Sequence, residues 1–139
     1  MTPAKYHLTK TDPETYSLDD FERDKITVWD GVTNAQAVQV IREMRKGDRV
    51  LVYHSMGSAA IVGLAKVMSE PRPDPNNAKS AVVEMTFIQR FDPPTTLADV
   101  KASGLFNDFA LVRQSRLSTM HCPDEFIEWL RARYPKVKL

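Results

Sequence analysis

The sequence predicts an α+β domain: a curved, mostly antiparallel β-sheet or a small barrel. Three observations predict it. Residues 49–54, 60–68 and 81–89 read as strands, while only 34–46 reads as a long helix. The segment order, two helices, three strands and then helices, is not the alternation of a βαβ array. A chain of 139 residues fills one core of ordinary size and not two, so residues 1–139 are expected to form a single domain.

Taken in order, Lys5 to Leu8 suits a first strand that stops ahead of a Thr11-Asp12-Pro13 turn. Ser17 is placed to cap a helix of about two turns, and Asp19 and Asp20 suit the positive end of its dipole. From Asn34 to Lys46, Val38, Ile41 and Met44 recur at helical spacing, with Ala37 and Val40 widening the stripe. Asn34 is the expected cap of that helix and Gly47 its stop. Arg49 to His54 alternates between two turn signals and is a strand. Ala60 to Met68 is the next, in which Gly63 marks a bulge or a close backbone approach. Ala81 to Gln89 sets Val83, Met85 and Phe87 on one face and Glu84 and Thr86 on the other. Pro71 to Lys79, rich in proline and asparagine, reads as a surface loop. Thr96 to Asp99 opens a short helix ended by Gly104. Pro123, at a first helical position where its missing N–H costs little, opens the last helix, which buries Phe126, Ile127 and Leu130.

Composition narrows the function classes. With 42% hydrophobic and 27% charged residues, the chain is neither disordered nor fibrous. No run approaches the ~18 apolar residues of a membrane span, and Met1 to Lys10 lacks a signal peptide's apolar stretch. A cytoplasmic location without membrane partners is expected. One cysteine, Cys122, excludes a disulfide framework or a multi-cysteine zinc site, and the three histidines lack metal-ligand spacing, so no metal is expected. The net charge of +1 exerts no global pull on a polyanion. A nucleic-acid partner would need a local basic surface and specific contacts. There is no P-loop, dinucleotide fingerprint or nucleophile elbow. Cys122 beside His121 at a helix start is better read as a cap than as a nucleophile. Neither catalysis nor a cofactor is expected.

Four segments concentrate residues that a core does not require: Lys10 to Pro13, Val28 to Gln36, Tyr53 to Ser55 and Arg113 to Ser118. The second places an aromatic plate, a carboxylate and two amides around a glycine turn. Each has a plainer reading: Trp29 as core, Asp30 and Asn34 as turn and cap residues, His54 as a structural hydrogen-bond partner.

As a set, these segments resemble the EVE domain family. The resemblance rests on Tyr6 to Pro13, Tyr16-Ser17, Val28 to Ala37, Met44, Gly47-Asp48, Tyr53-His54-Ser55, Ile61-Val62-Gly63, Pro73-Asp74-Pro75 and Arg116-Leu117-Ser118, from about Lys5 to Trp129. It implies a PUA-like fold, a bent, barrel-like sheet with flanking helices. PUA-like relatives include the YTH readers of methylated RNA and the SRA readers of methylated DNA. The resemblance therefore implies a non-catalytic domain that binds DNA or RNA and holds one methylated or hydroxymethylated base in a pocket. This chain departs from the family pattern at His7, where tryptophan is usual, at Thr33, where arginine is usual, and at Cys122, where a threonine cap is usual.

A base flipped from its stack loses a few kcal/mol, which an aromatic plate and polar contacts recover. On that reading Trp29 is the plate, and Asn34 and Gln36 meet the base edge. Thr11, Asp12, His54, Ser55, Leu117 and Ser118 complete the pocket. Lys10, Arg113 and Arg116 meet phosphates. The alternative is a small enzyme acting on a modified nucleoside or similar ligand, with His54 and Asp12 as its acid–base pair.

Overall fold

The computed structural model describes residues 5–57, 59–137 and 139. Seven strands and five helices are found among them: β1 (Tyr6–Thr11), α1 (Leu18–Asp24), β2 (Ile26–Trp29), α2 (Ala35–Glu43), β3 (Arg49–His54), β4 (Ala60–Val67), β5 (Arg72–Asp74), β6 (Asn77–Thr96), α3 (Leu97–Ser103), α4 (Ala110–Arg113), β7 (Thr119–His121) and α5 (Asp124–Arg133). The sheet runs β2-β6-β4-β3-β1-β7, with β5 paired to β6 off that path. Only β1 and β3 are parallel, so the sheet is mixed and, as expected, mostly antiparallel. It is open: β2 and β7 are its edges, and the barrel alternative does not close.

The capping chemistry sets the helix starts. Ser17 and Asp20 form a reciprocal capping box on α1, Thr96 and Asp99 do so on α3, and Asn34 accepts from the Ala37 N–H on α2. Helix α2 is shorter than its apolar stripe suggests, because Met44 leaves the helix three residues before Gly47. Pro123 is the cap of α5 rather than its first helical residue.

The sheet corrects the three-strand reading. The segment read as a loop from Pro71 to Lys79 instead forms the β5–β6 turn, and β6 extends past both ends of the predicted strand. Prolines 93 and 94 suggest a strand end, yet β6 passes through them. They lie between the pairs Gly63↔Arg90 and Ile61↔Thr95, where the ladder shifts register and requires no N–H from them. Within the shift, Phe91 is buried and stacks on Tyr134 of the C-terminal segment at 4.6 Å.

Gly63 adjoins a bulge at Val62 and is itself the close approach. A methyl added there would lie 2.7 Å from Leu18 Cδ1 and 3.1 Å from the Gln89 carbonyl oxygen. Leu18 is wholly buried, and Gln89 is fixed in the partner strand. Gly63→Ala is therefore expected to destabilise by about 1–3 kcal/mol, despite the usual gain from removing a glycine. A urea midpoint at or above that of the wild-type protein would contradict it.

Candidate functional site

The C-terminal end of β1, the strand β2 with the loop into α2, and the stretch before β7 enclose a cleft of about 610 Å3. Trp29 ends β2 and lies on its floor, only 7% exposed. The ring is held by Phe21 at 6.1 Å and by Tyr16 at 6.3 Å, the latter edge-on at 80°. Tyr16 also lines the cleft, and its hydroxyl donates to Asp24 at 2.9 Å. Burial pushes the Tyr16 phenol above its ordinary range, so it stays protonated and keeps that bond at neutral pH.

After Trp29 the chain turns through Gly31 at φ +77°, a left-handed conformation that favours glycine. The Ser80 hydroxyl donates to the Val32 carbonyl and fixes this loop to β6. Asn34 closes the wall. Its Oδ1 accepts from Ala37 N–H at 3.0 Å, which assigns the amide and leaves the nitrogen outside the cap bond in a residue that lines the cleft. The plainer reading of Asn34 as a cap is thus correct, and it leaves the amide NH2 available.

On the opposite wall Asp12 accepts from the Glu14 N–H at 2.9 Å through Oδ1. Its backbone carbonyl accepts from the N–H groups of Thr15 and Tyr16. Oδ2 is not used by this turn. The Thr11 hydroxyl donates to the Tyr16 carbonyl at 2.7 Å and is committed to the same turn. Two cations complete the rim. Lys10 lies over the Tyr53 ring at 5.6 Å and donates from Nζ to the Ser115 carbonyl at 3.0 Å, while its backbone N–H bonds the Ser118 carbonyl. Partial burial lowers its pKa from the ordinary value. Arg116 is exposed and pairs with no carboxylate among the described residues.

Of the residues expected to form the pocket, Lys10, Thr11, Asp12, Trp29, Asn34, Arg116 and Ser118 meet in this cleft. Gln36, His54, Ser55, Leu117 and Arg113 do not line it. Gln36 is exposed on the first turn of α2, and Leu117 is a core residue. Arg113 stands 3.8 Å from Asp108. His54 accepts the Leu18 N–H on Nε2 at 3.1 Å, and Ser55 donates its N–H to the Thr11 carbonyl at 3.0 Å. Both therefore tie β3 to the turn that forms the cleft wall. The geometry does not bring His54 and Asp12 into one cavity. Thr15, Tyr16 and Thr27 are lining residues that the sequence reading of the pocket did not include. Thr27 shares a strand face with Trp29, a signal visible only once β2 is known. No group of histidine, cysteine or acidic side chains among the described residues is placed to hold a metal ion.

With fold and cleft in view, a family model described as EVE domain matches residues 5–133. The chain belongs to the EVE domain family. Thymocyte nuclear protein 1 of Rattus norvegicus is 25% identical over 163 residues, covering 91% of this chain and 72% of that protein. A Rhodopseudomonas palustris protein solved by NMR is 31% identical, with a TM-score of 0.89 over 98% of this EVE domain and 97% of its own chain. Human THYN1 protein, crystallised in complex with 5-methylcytosine-containing DNA, has a TM-score of 0.86 at 23% identity, covering 96% and 99% of the two chains. That last likeness is one of fold. The EVE domain described here is PUA-like, with its bent sheet left open at β2 and β7.

Proposed function

We propose that this EVE domain is a non-catalytic reader that binds nucleic acid and takes one modified, amino-bearing base into the Trp29 cleft. The cleft carries the reading. Its volume falls in the range of about 300–1,000 Å3 typical of small-ligand sites, and its polar groups are of two complementary kinds. The carboxylates of Asp12 and Asp30 accept, and the Asn34 amide NH2 donates. The pairing edge of cytosine, like that of adenine, presents an exocyclic amine beside a ring-nitrogen acceptor, so this set complements either base. Trp29 supplies the stacking surface, and Lys10 and Arg116 stand where the flanking phosphates would pass. The 5-methylcytosine DNA bound by human THYN1 protein supports methylated DNA as the partner class.

The test is a titration at fixed salt with matched DNA and RNA strands carrying 5-methylcytosine, 5-hydroxymethylcytosine, N6-methyladenine or the plain base. A preference of about tenfold for one modification, ~1.4 kcal/mol, is expected. Arg116→Gln should weaken plain and modified strands alike and reduce the salt slope by about one. Equal affinity for every strand would refute the reader function.

A further inference from the structure

A second cleft, of about 410 Å3, opens where the C-terminal end of α2 meets β5. Arg42, Arg45 and Arg72 converge on it with Glu70, between the rigid walls of Pro71 and Pro73. Three guanidiniums against one carboxylate make a local excess in a chain whose net charge is only +1. Arg42 donates to the Lys79 carbonyl at 3.4 Å, and Arg45 to the carbonyls of Arg42 at 3.0 Å and Met44 at 2.8 Å. Carbonyl bonds orient a guanidinium without neutralising it. Neither residue forms an ion pair among the described residues, and Arg72 has only an exposed contact to Glu84 at 3.7 Å.

A structural role accounts for part of this. Cations at the end of α2 suit the helix dipole, and Arg45 caps its last carbonyls. Arg72 is unexplained by that role, because it comes from another element and faces the same space. The two clefts are linked through α2 and β6. Asn34, in the first, caps the helix that carries Arg42 at its other end, about 12 Å away at ~1.5 Å per residue. Ser80, whose hydroxyl holds Val32 in the first cleft, adjoins Ala81 in the second. Successive phosphates of one B-form strand rise ~3.4 Å along the axis but also wind about it, which sets them roughly 6–7 Å apart through space, so that distance spans about two phosphates.

We propose that the Arg42–Arg45–Arg72 cleft is a second phosphate-binding site for the same strand, about two nucleotides from the base held at Trp29. This rests on the base-reading proposal above. Arginine forks hold phosphate oxygens bidentately and read no sequence, so this cleft fixes register while the first one selects the base.

The test compares the wild-type domain with Arg42→Gln/Arg72→Gln, leaving Arg45 to cap α2. The probes are a duplex of about 13 base pairs with a central 5-methylcytosine, and a single-stranded trinucleotide with the same central base, too short to reach the second cleft. For the duplex, the slope of log affinity against log salt should fall by about two in the double variant, with a loss of tenfold or more at low salt. The trinucleotide should show no such loss. A duplex slope and affinity equal to wild type would overturn the proposal, as would an equal loss for both probes. The ratio of modified to plain duplex in the wild-type protein separately tests the base reading. Its absence refutes that reading, while the slope comparison still decides whether the arginines hold phosphate.

Discussion

Replacing His7 by leucine is expected to cost about 3 kcal/mol of stability, read as a fall in the urea midpoint at unchanged slope. His7 is wholly buried on β1, with Nε2 2.8 Å from Asp48 Oδ2 and Nδ1 2.9 Å from Nδ1 of His121 on β7. His121 in turn lies 3.1 Å from Glu43 of α2 through Nε2. The array therefore joins two neighbouring strands to a helix and to the α2–β3 turn. Asp48 is 6% exposed, and its remaining bonds come from the backbone N–H groups of Lys5 and Arg45. Leucine would fill the space yet leave a buried carboxylate short of its charge-assisted donor. Adding Asp48→Asn to the leucine variant should recover part of the loss, because the two sites are coupled through one bond. Additive losses would refute the coupling.

The same array sets a pH dependence. Burial lowers the pKa of His7 from the ordinary 6.5, outweighing the pull of Asp48 in the other direction. The unfolded chain thus takes up a proton as pH falls through about 6.5 while the folded one does not, and stability declines with falling pH in that window. Asp48 acts in the same sense at lower pH. Burial opposes its charge, but the bonds from His7, Arg45 and Lys5 win and hold its carboxyl below the usual range. Its contribution is lost as pH falls through that depressed value. His54, also lowered by burial, must stay unprotonated on Nε2 to accept the Leu18 N–H. Stability measured at pH 7.5 and at pH 5 should therefore differ less in His7→Leu than in the wild-type domain. An unchanged difference would assign the whole effect to His54 and the carboxylates.

What the sequence conceals is clearest at that array. His7 and His121 are 114 positions apart and meet only because β1 and β7 pair in the register His7↔His121. The three residues of β7 carry no pattern of their own. Strand β2 is hidden differently: it exposes Ile26 and Val28 and buries Trp29, the reverse of what a run of apolar residues suggests. By contrast, Arg49 to His54 was legible to the residue, because turn residues bracket a regular alternation. The caps Ser17, Asn34 and Thr96 were legible because capping is local chemistry. The cleft divides along the same line. Its local turns, Lys10 to Asp12 and Trp29 to Asn34, stand out by residue type. Residue type cannot separate a side chain that lines a wall, such as Asp12, from one that holds the wall in place, such as His54.

Trp29 is where those two roles coincide, and Trp29→Ala is expected to produce two losses of different origin. Removing a nearly buried indole packed on Phe21 and Tyr16 should cost about 3–5 kcal/mol of stability. Removing the stacking surface should cost a further ~1–3 kcal/mol of affinity, roughly 5- to 150-fold, for a strand carrying the modified base. Trp29→Phe separates them: a phenyl ring refills most of the core and restores stability, but offers a smaller plate, so the preference for the modified strand should still fall. The domain's other tryptophan, Trp129, stacks on Phe126 at 5.8 Å and lines neither cleft. In Trp129→Phe the Trp29 indole is the sole such reporter, and a stacked base should quench its emission in proportion to occupancy. A modified duplex that binds with no change in that emission, together with a wild-type preference in Trp29→Phe, would place the base elsewhere and leave Trp29 a core residue alone.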